Sequence, residues 1–172
     1  MIRAAIERDI DAVDAAYTEL LLHEQEHGSN TQWVQGLYPT RATAERAYTA
    51  GELYVLEEGG QVRASMILNG RQAPEYREVP WQYPAEDAEV LVIHTLCVPP
   101  SEAGRGYGTR MVDFASGYVL GRGGRVIRLD TNVKNLPAQS LYVKNGFRIA
   151  GSRRCLHEGV LDTELVYLER SL

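Results

Sequence analysis

The sequence has few residues that could cross-link the chain. Its two cysteines, Cys97 and Cys155, lie in apolar surroundings and lack the CxxC spacing that is typical of zinc and redox sites. We therefore expect both to be buried free thiols in a reducing compartment. With 172 residues, the chain is long enough to bury a core without such links, so we expect one domain over residues 1–172.

Long apolar runs and an excess of positive charge are also lacking. No stretch approaches the roughly 18 apolar residues that a membrane span needs, and charges begin at Arg3, where a signal peptide would be apolar. We expect a cytoplasmic protein with no membrane partner. The formal net charge is -5, which argues against nucleic-acid binding because phosphate neutralisation needs clustered Lys and Arg. It mildly favours a cationic small-molecule partner.

Apolar periodicity predicts a mixed order of strands and helices. Asp9 is expected to cap the first helix and Thr40 the second, and the Gly59-Gly60 pair predicts a tight hairpin. Strands are predicted near residues 2–6, 53–57, 62–68, 90–98, 125–131, 147–150 and 165–168. The order β, α, α, three strands, α, β, α, β, β is typical of an α/β or α+β sheet with helices on its faces.

The strongest chemical signal is VPPSEAGRGYGTRMVDFA at residues 98–115. A buried strand enters a glycine-rich turn that begins a helix, so backbone amides and the positive end of the helix dipole converge, which suits a pyrophosphate. The absence of GK[ST] excludes a Walker loop, and Met111 occupies the third glycine position of a GxGxxG pattern that starts at Gly106. Glycines that serve the turn alone are the alternative.

This turn and a second segment together resemble the signatures of the GNAT acetyltransferases. The first signature, [QR]xxGx[GA] after a strand ending in L-x-V, is matched by AGRGYG after Leu96, Cys97 and Val98. The second is matched within NVKNLPAQSLYVKNGFRIAG by Asn135, Ala138, Leu141, Tyr142, Gly146 and Phe147. Ala103 stands where the family has Gln or Arg, which should weaken coenzyme binding without abolishing it, and Arg105 can supply charge nearby.

The resemblance covers essentially the whole chain and implies the GNAT fold, a central mixed, mostly antiparallel twisted sheet of about seven strands with helices on both faces. It implies acetyl-CoA as cosubstrate, no metal, and transfer of the acetyl group to a primary amine of a small molecule by direct attack on the thioester. The implied coenzyme-binding residues are Leu96, Cys97, Val98, Ala103, Gly104, Arg105, Gly106, Tyr107, Gly108, Thr109, Asn135 and Tyr142.

Two residues are implied as catalytic, Tyr142 and His94. A phenol can protonate the departing thiolate, while a base must take a proton from an amine that is mostly charged at neutral pH. His94 matches HxLxV of the similar arylalkylamine acetyltransferases, and Glu89 could act instead through water. A histidine base predicts a pH limb between about 6 and 8. The alternatives are a core histidine and a packing tyrosine.

Several interpretations stay open from the sequence. Aromatic residues in two loops are candidates for the acceptor site, by cation-π contact with an amine; they are Trp33, Tyr38, Tyr76, Trp81 and Tyr83. HExxH at residues 23–27 has the zincin spacing but is more typical here of a solvated helix end. A protein or peptide acetyltransferase and a non-catalytic acyl-CoA-binding protein are alternative functions. The oligomeric state is open, a homodimer included.

Overall fold

The computed structural model describes residues 1–157 and 159–172 of the chain. Seven strands and four α-helices follow one another in the order that the sequence predicts. They are β1 (Ile2–Ala4), α1 (Asp9–His27), α2 (Arg41–Thr49), β2 (Leu53–Glu58), β3 (Gln61–Asn69), β4 (Val90–Cys97), α3 (Tyr107–Gly121), β5 (Val126–Asn132), α4 (Leu136–Lys144), β6 (Arg148–His157) and β7 (Leu161–Ser171). No helix among the described residues combines the length and apolarity that crossing a membrane requires.

The strands form one seven-stranded sheet in the order β1-β2-β3-β4-β5-β7-β6. β1 with β2, β2 with β3, β5 with β7 and β6 with β7 are antiparallel, whereas β4 and β5 are parallel. The parallel pair aligns Val90 with Val126 and Val92 with Arg128. The predicted mixed, mostly antiparallel α/β fold is confirmed.

Contacts divide the chain into two compact units that interleave in sequence. The first unit comprises residues 1–29, 33–68 and 95–111, and the second comprises residues 30–32, 69–94 and 112–172. A single domain over residues 1–172 stays a prediction.

The core of the first unit forms where α1 and α2 bury their apolar sides. α1 contributes residues at helical spacing, and Cys97 from the end of β4 belongs to the same cluster. The buried members are Ile10, Val13, Ala16, Tyr17, Ala44, Ala47, Leu53, Val55, Ile67 and Cys97. The expected cap Asp9 is instead the first helical residue, and its carboxylate accepts from Arg3 (2.6 Å) and from the Ile6 amide (2.9 Å).

The second unit has its own core, which combines strand residues with the segment between β3 and β4. Tyr76 and Val79 from that segment pack with Val90, Val92, Val126, Leu165 and Tyr167. β6 and β7 are longer than predicted because their outer halves carry polar and charged residues that hide the strand pattern. Cys155, expected to be buried, is only partly covered because β6 is an edge strand.

Candidate functional site

The glycine-rich turn before α3 has the backbone that a phosphate cradle needs. Gly104 and Gly106 have φ values of 77° and 76°, in the left-handed region that side chains other than glycine rarely adopt. The hydrogen-bond ladder of α3 begins where the Arg110 amide donates to Gly106 O at 3.1 Å. The first-turn amides before Arg110 therefore have no acceptor inside the helix, as at any helix start. The predicted strand, turn and helix context of this motif is present.

Side chains of the β2-β3 hairpin hold the start of α3 from the side. Glu58 accepts from the Tyr107 hydroxyl at 2.6 Å and from the Arg110 guanidinium at 2.9 Å. These two donors lower the pKa of Glu58, with the Tyr107 bond as the larger cause, and the same bond raises the pKa of Tyr107. Sequence reasoning missed Glu58, because a charged residue beside a hairpin turn carries no signal of its distant partners.

The turn has a second attachment within the first unit. Arg63 on β3 donates to the buried carboxylate of Glu102, and the exposed Arg105 lies 3.3 Å from the other oxygen of the same carboxylate. Arg105 therefore forms a salt bridge with Glu102, although more than half of the Arg105 side chain is exposed. Ala103, at the position of Gln or Arg in the family motif, is exposed.

The three residues expected to line the coenzyme's pantetheine arm differ in burial. Leu96 and Val98 are partly buried, whereas Cys97 is fully buried in the core of the first unit and burial raises the pKa of its thiol to about 12. Cys97 is therefore protonated at neutral pH, so its expected contact with the coenzyme would be through the main chain. Thr95, the residue before Leu96, has a φ of 48°. Its hydroxyl shares a 2.5 Å hydrogen bond with the Tyr38 hydroxyl.

His94 is partly buried in the second unit, and its ring is hydrogen-bonded. Its Nε2 is 2.9 Å from Asn69 Oδ1, and because an amide oxygen only accepts, Nε2 is the donor. Burial, followed by the charges of Arg71 and His157, lowers the pKa of His94 from 6.5 to about 4. The ring is therefore neutral across the range from 6 to 8, because burial disfavours its charged form, and the role of His94 as a base stays a prediction.

Asp130 on β5 connects several of these groups in the second unit. Its carboxylate accepts from the Tyr76 hydroxyl at 2.7 Å and lies 3.9 Å from Nδ1 of His157. Burial, and then the charge of Asp130, raise the pKa of Tyr142, so the phenol keeps its proton at neutral pH. Sequence reasoning missed Asp130, because nothing in the strand pattern distinguishes it from a surface carboxylate.

Tyr142 lies on α4, which begins with a local cap. The Asn135 side chain accepts from the Ala138 amide at 3.3 Å and donates to the Thr131 hydroxyl at 3.2 Å. The Tyr142 ring is buried and packs edge-on against Phe147, with 5.6 Å between ring centroids. Asn135 thus has a structural role in starting α4, and its contact with the coenzyme stays a prediction.

Glu89 is a poor candidate for a base. Arg125 donates to both of its oxygens, at 2.8 and 3.1 Å, and the Glu86 amide donates to one of them at 2.9 Å. These bonds, chiefly those from Arg125, lower the pKa of Glu89. A carboxylate that holds a proton so weakly has little tendency to take one from water or from an amine.

The aromatic candidates separate into two groups. In the first unit, Trp33 packs edge-on against the buried Tyr38 at 5.8 Å. In the second unit, Trp81 packs against Tyr76 and Tyr167, and Tyr83 contacts the same core cluster. Much of both groups therefore serves as packing.

The HExxH segment forms the end of α1. The rings of His23 and His27 stack at 4.2 Å, and the buried Glu24 accepts from the Ser29 hydroxyl at 2.9 Å. Within residues 1–157 and 159–172, no group of three or more His, Cys, Asp or Glu side chains is placed to hold a metal ion.

Comparison with known proteins identifies the family to which the chain belongs. The sequence profile described as the Acetyltransferase (GNAT) family matches residues 16–147, which include the glycine-rich turn and the segment around Tyr142. The chain belongs to this family.

Individual proteins are similar to this chain in part of their sequence or in their fold. An uncharacterised N-acetyltransferase of Methanocaldococcus jannaschii is 37% identical over 67 residues, which are 39% of this chain but only 30% of the relative. A GNAT-family acetyltransferase from Streptococcus agalactiae has a similar fold, with a TM-score of 0.83 and 20% identity, over 100% of this chain and 95% of the other. A phosphinothricin acetyltransferase from Sinorhizobium meliloti, solved with acetyl-CoA, has a TM-score of 0.73 and 15% identity over 100% and 88% of the chains.

Proposed function

We propose that the protein is an acetyl-CoA-dependent N-acetyltransferase that acts on a primary amine of a small molecule. The observation that carries this proposal is the glycine-rich turn, with left-handed Gly104 and Gly106 directly before α3. Membership of the acetyltransferase family and the acetyl-CoA bound in a protein of similar fold support the same donor.

The coenzyme would lie with its pyrophosphate on the amides of residues 104–109 and its pantetheine arm along the main chain of Leu96 and Val98. Backbone amides at a helix start bind phosphate oxygens without a lysine. Glu58 and Glu102 hold this turn in place, so that binding does not have to order it first.

In the reaction, the neutral amine attacks the carbonyl carbon of the thioester and forms the new C–N bond. The C–S bond then breaks, and the proton of the Tyr142 hydroxyl passes to the leaving thiolate. The raised pKa of Tyr142 keeps this proton in place until negative charge develops on sulfur. The amine loses its own proton to solvent, either directly or through His94, whose neutral ring can hold this proton only transiently because its pKa is about 4.

A thiol-release assay with acetyl-CoA and a panel of polyamines, amino acids, aminoglycosides, arylalkylamines and short peptides tests this function. We expect turnover with at least one small amine and slower release with the peptides. Faster release with the peptides would instead indicate a protein acetyltransferase. Tight acetyl-CoA binding without turnover on any amine would indicate a non-catalytic coenzyme-binding protein, and absence of acetyl-CoA binding by calorimetry would overturn the proposal.

A further inference from the structure

A pocket within the second unit has a buried cation in its wall. The pocket has a volume of about 250 Å³ and lies between the segment that follows β3 and the side of β5. Its lining includes Gln72, Tyr76, Arg77, Trp81, Asp87 and Arg128. This volume lies below the usual range of about 300–1,000 Å³ for ligand sites, so it suits a molecule of amino-acid size rather than a nucleotide or a peptide.

The buried cation is Arg128, whose side chain is only 6% exposed. Its guanidinium donates to Gln72 Oε1 at 2.6 Å and to Tyr83 O at 3.1 Å, and it lies 4.5 Å from the centre of the Trp81 ring. All three partners are uncharged. The buried Nε of Arg128 has no hydrogen-bond acceptor among the described residues.

The two carboxylates whose charges act on Arg128, those of Glu169 and Asp87, have hydrogen-bond partners elsewhere. Glu169 accepts from Arg148 at 2.5 Å and from the Gln82 amide at 2.7 Å. Asp87 is separated from Arg128 by Gln72, whose Nε2 donates to Asp87 at 2.9 Å. Within residues 1–157 and 159–172, no carboxylate forms a salt bridge with Arg128.

A buried guanidinium whose direct contacts are all neutral is costly, since burial of a charge is normally offset by a counter-charge in contact with it. Arg77, an exposed residue in the lining, adds a second positive charge. Arginine is the side chain best suited to carboxylates, because its planar N–H groups can donate in parallel. Trp81 and Tyr76 provide aromatic walls for an apolar portion of the same ligand.

We infer that this pocket binds the carboxylate of a small molecule, with Arg128 as the principal anchor. The inference goes beyond the acetyl transfer proposed above and does not depend on it. The carboxylate can belong to an amino acid or to a carboxylic acid without an amine. Only the amino acid also has an ammonium group that can pair with the Asp87 carboxylate.

The first experiment measures binding without acetyl-CoA, so that its result is independent of the proposed reaction. The Trp33→Phe protein keeps Trp81 as the one tryptophan of the chain, and its fluorescence reports on the pocket. L-Methionine, L-methioninamide and butyrate are titrated across the millimolar range. We expect saturable binding of L-methionine or butyrate and binding at least about tenfold weaker for the amide, which lacks the charge.

Stronger binding of L-methionine would identify an amino acid as the ligand class, and equal or stronger binding of butyrate would identify a simple carboxylic acid. Either result supports the inference. No saturable change with either carboxylate, or equal affinity for L-methionine and its amide, would overturn it.

The second experiment replaces the anchor. We expect Arg128→Met to weaken carboxylate binding by about 10- to 100-fold, the loss expected for charge-assisted hydrogen bonds. The melting temperature without ligand should not fall, since an apolar side chain removes a buried charge that has no direct ion pair. Arg154→Met is the matched control, because Arg154 is exposed and pairs with Asp162.

If Arg128→Met does not fold, Arg128→Lys provides the same test with the charge retained and the parallel donors lost. It should bind the carboxylate about tenfold more weakly than the parent. Unchanged affinity in whichever variant folds, or a fall in melting temperature for Arg128→Met with affinity intact, would show that Arg128 is only a structural support and overturn the inference.

Discussion

The glycine-rich turn of the first unit and the polar interior of the second unit offer binding groups of opposite kinds. The turn offers backbone amides, and its charged side chains, such as Arg105, lie at the surface. The interior offers side chains such as His94 and Arg128, which burial deprives of solvent and whose pKa values it lowers. A backbone site therefore tolerates side-chain replacement, whereas an interior site depends on each side chain.

The two regions also respond differently to pH. Backbone amides do not titrate, so the turn should bind phosphate groups similarly at pH 6 and pH 8. In the interior, burial lowers the pKa of His94, so stability depends on pH between its unfolded and folded pKa values. Four substitutions test this contrast, one for the backbone of the turn, two for the interior and one for the side chains that hold the turn.

The largest effect is expected from Gly106→Val. A φ of 76° is strained for a β-branched residue, and relief of that strain turns the amides away from the phosphate position. We expect acetyl-CoA affinity to fall by at least about 100-fold, measured by calorimetry.

Gly51→Val is the matched control for this substitution. Gly51 has a φ of 72° and, like Gly106, has no atom within 4 Å of an added Cβ, but it lies in the turn after α2. Gly51→Val should lower the free energy of unfolding about as much as Gly106→Val does, but it should leave the affinity for acetyl-CoA unchanged. If Gly106→Val folds and binds acetyl-CoA as the parent does, the turn is not the cradle.

The contrast also explains what the sequence could predict. The turn is contiguous, so residues 103–109 carry both its glycines and the helix start, and its context was predictable. Element order was predictable as well, because the apolar periodicity of α1 and of β4 persists in the folded chain.

The interior was not predictable, because its members meet only through pairing and loop packing. Asp130 and Tyr76 are 54 positions apart and are joined by one hydrogen bond. Strand alternation predicts that His94 lies on one face with Leu96 and Val98, but this prediction assumes a regular backbone, whereas Thr95 has a φ of 48°. No residue pattern in the sequence predicts this φ value.

Tyr142→Phe tests the side-chain dependence of the interior. If the phenol protonates the thiolate, removal of its hydroxyl should lower kcat by roughly 100- to 10,000-fold, the contribution typical of one general acid. Acetyl-CoA affinity should stay close to that of the parent. Steady-state kinetics and calorimetry separate the two effects.

Tyr118→Phe is the control, since Tyr118 lies on α3 and its hydroxyl accepts from the exposed Arg122. It should leave kcat unchanged. Undiminished kcat in Tyr142→Phe would assign Tyr142 to packing against Phe147.

The pH dependence of stability tests the environment of His94. Because its pKa falls from 6.5 to about 4 in the folded chain, the unfolded chain binds more protons between these values. The contribution of neutral His94 to the free energy of unfolding is thus complete above about pH 6.5 and is lost as the pH falls toward 4. We expect His94→Gln to reduce this loss by about 1–2 kcal/mol in urea unfolding at pH 5 and pH 7.

His23→Gln is the control, because His23 is exposed on α1, so this variant also loses one imidazole but leaves the surroundings of His94 intact. The parent and the two variants are compared by the change in their free energy of unfolding between pH 5 and pH 7. If this change is the same in the parent and in His94→Gln, the lowered pKa of His94 is contradicted. A catalytic limb between pH 6 and 8 that persists in His94→Gln would belong to another group.

The smallest effect is expected from Glu58→Gln. The carboxylate holds Tyr107 and Arg110, and the amide keeps one acceptor oxygen for these two donors, so the turn becomes looser without losing its glycines. Ordering it on binding should weaken acetyl-CoA affinity by about two- to tenfold, with kcat little changed. Glu45→Gln removes a comparable exposed pair with Arg41 on α2 and should change neither quantity. Affinity equal to that of the parent would show that the backbone alone shapes the turn, whereas a loss as large as that of Gly106→Val would show that the cradle depends on its side chains after all.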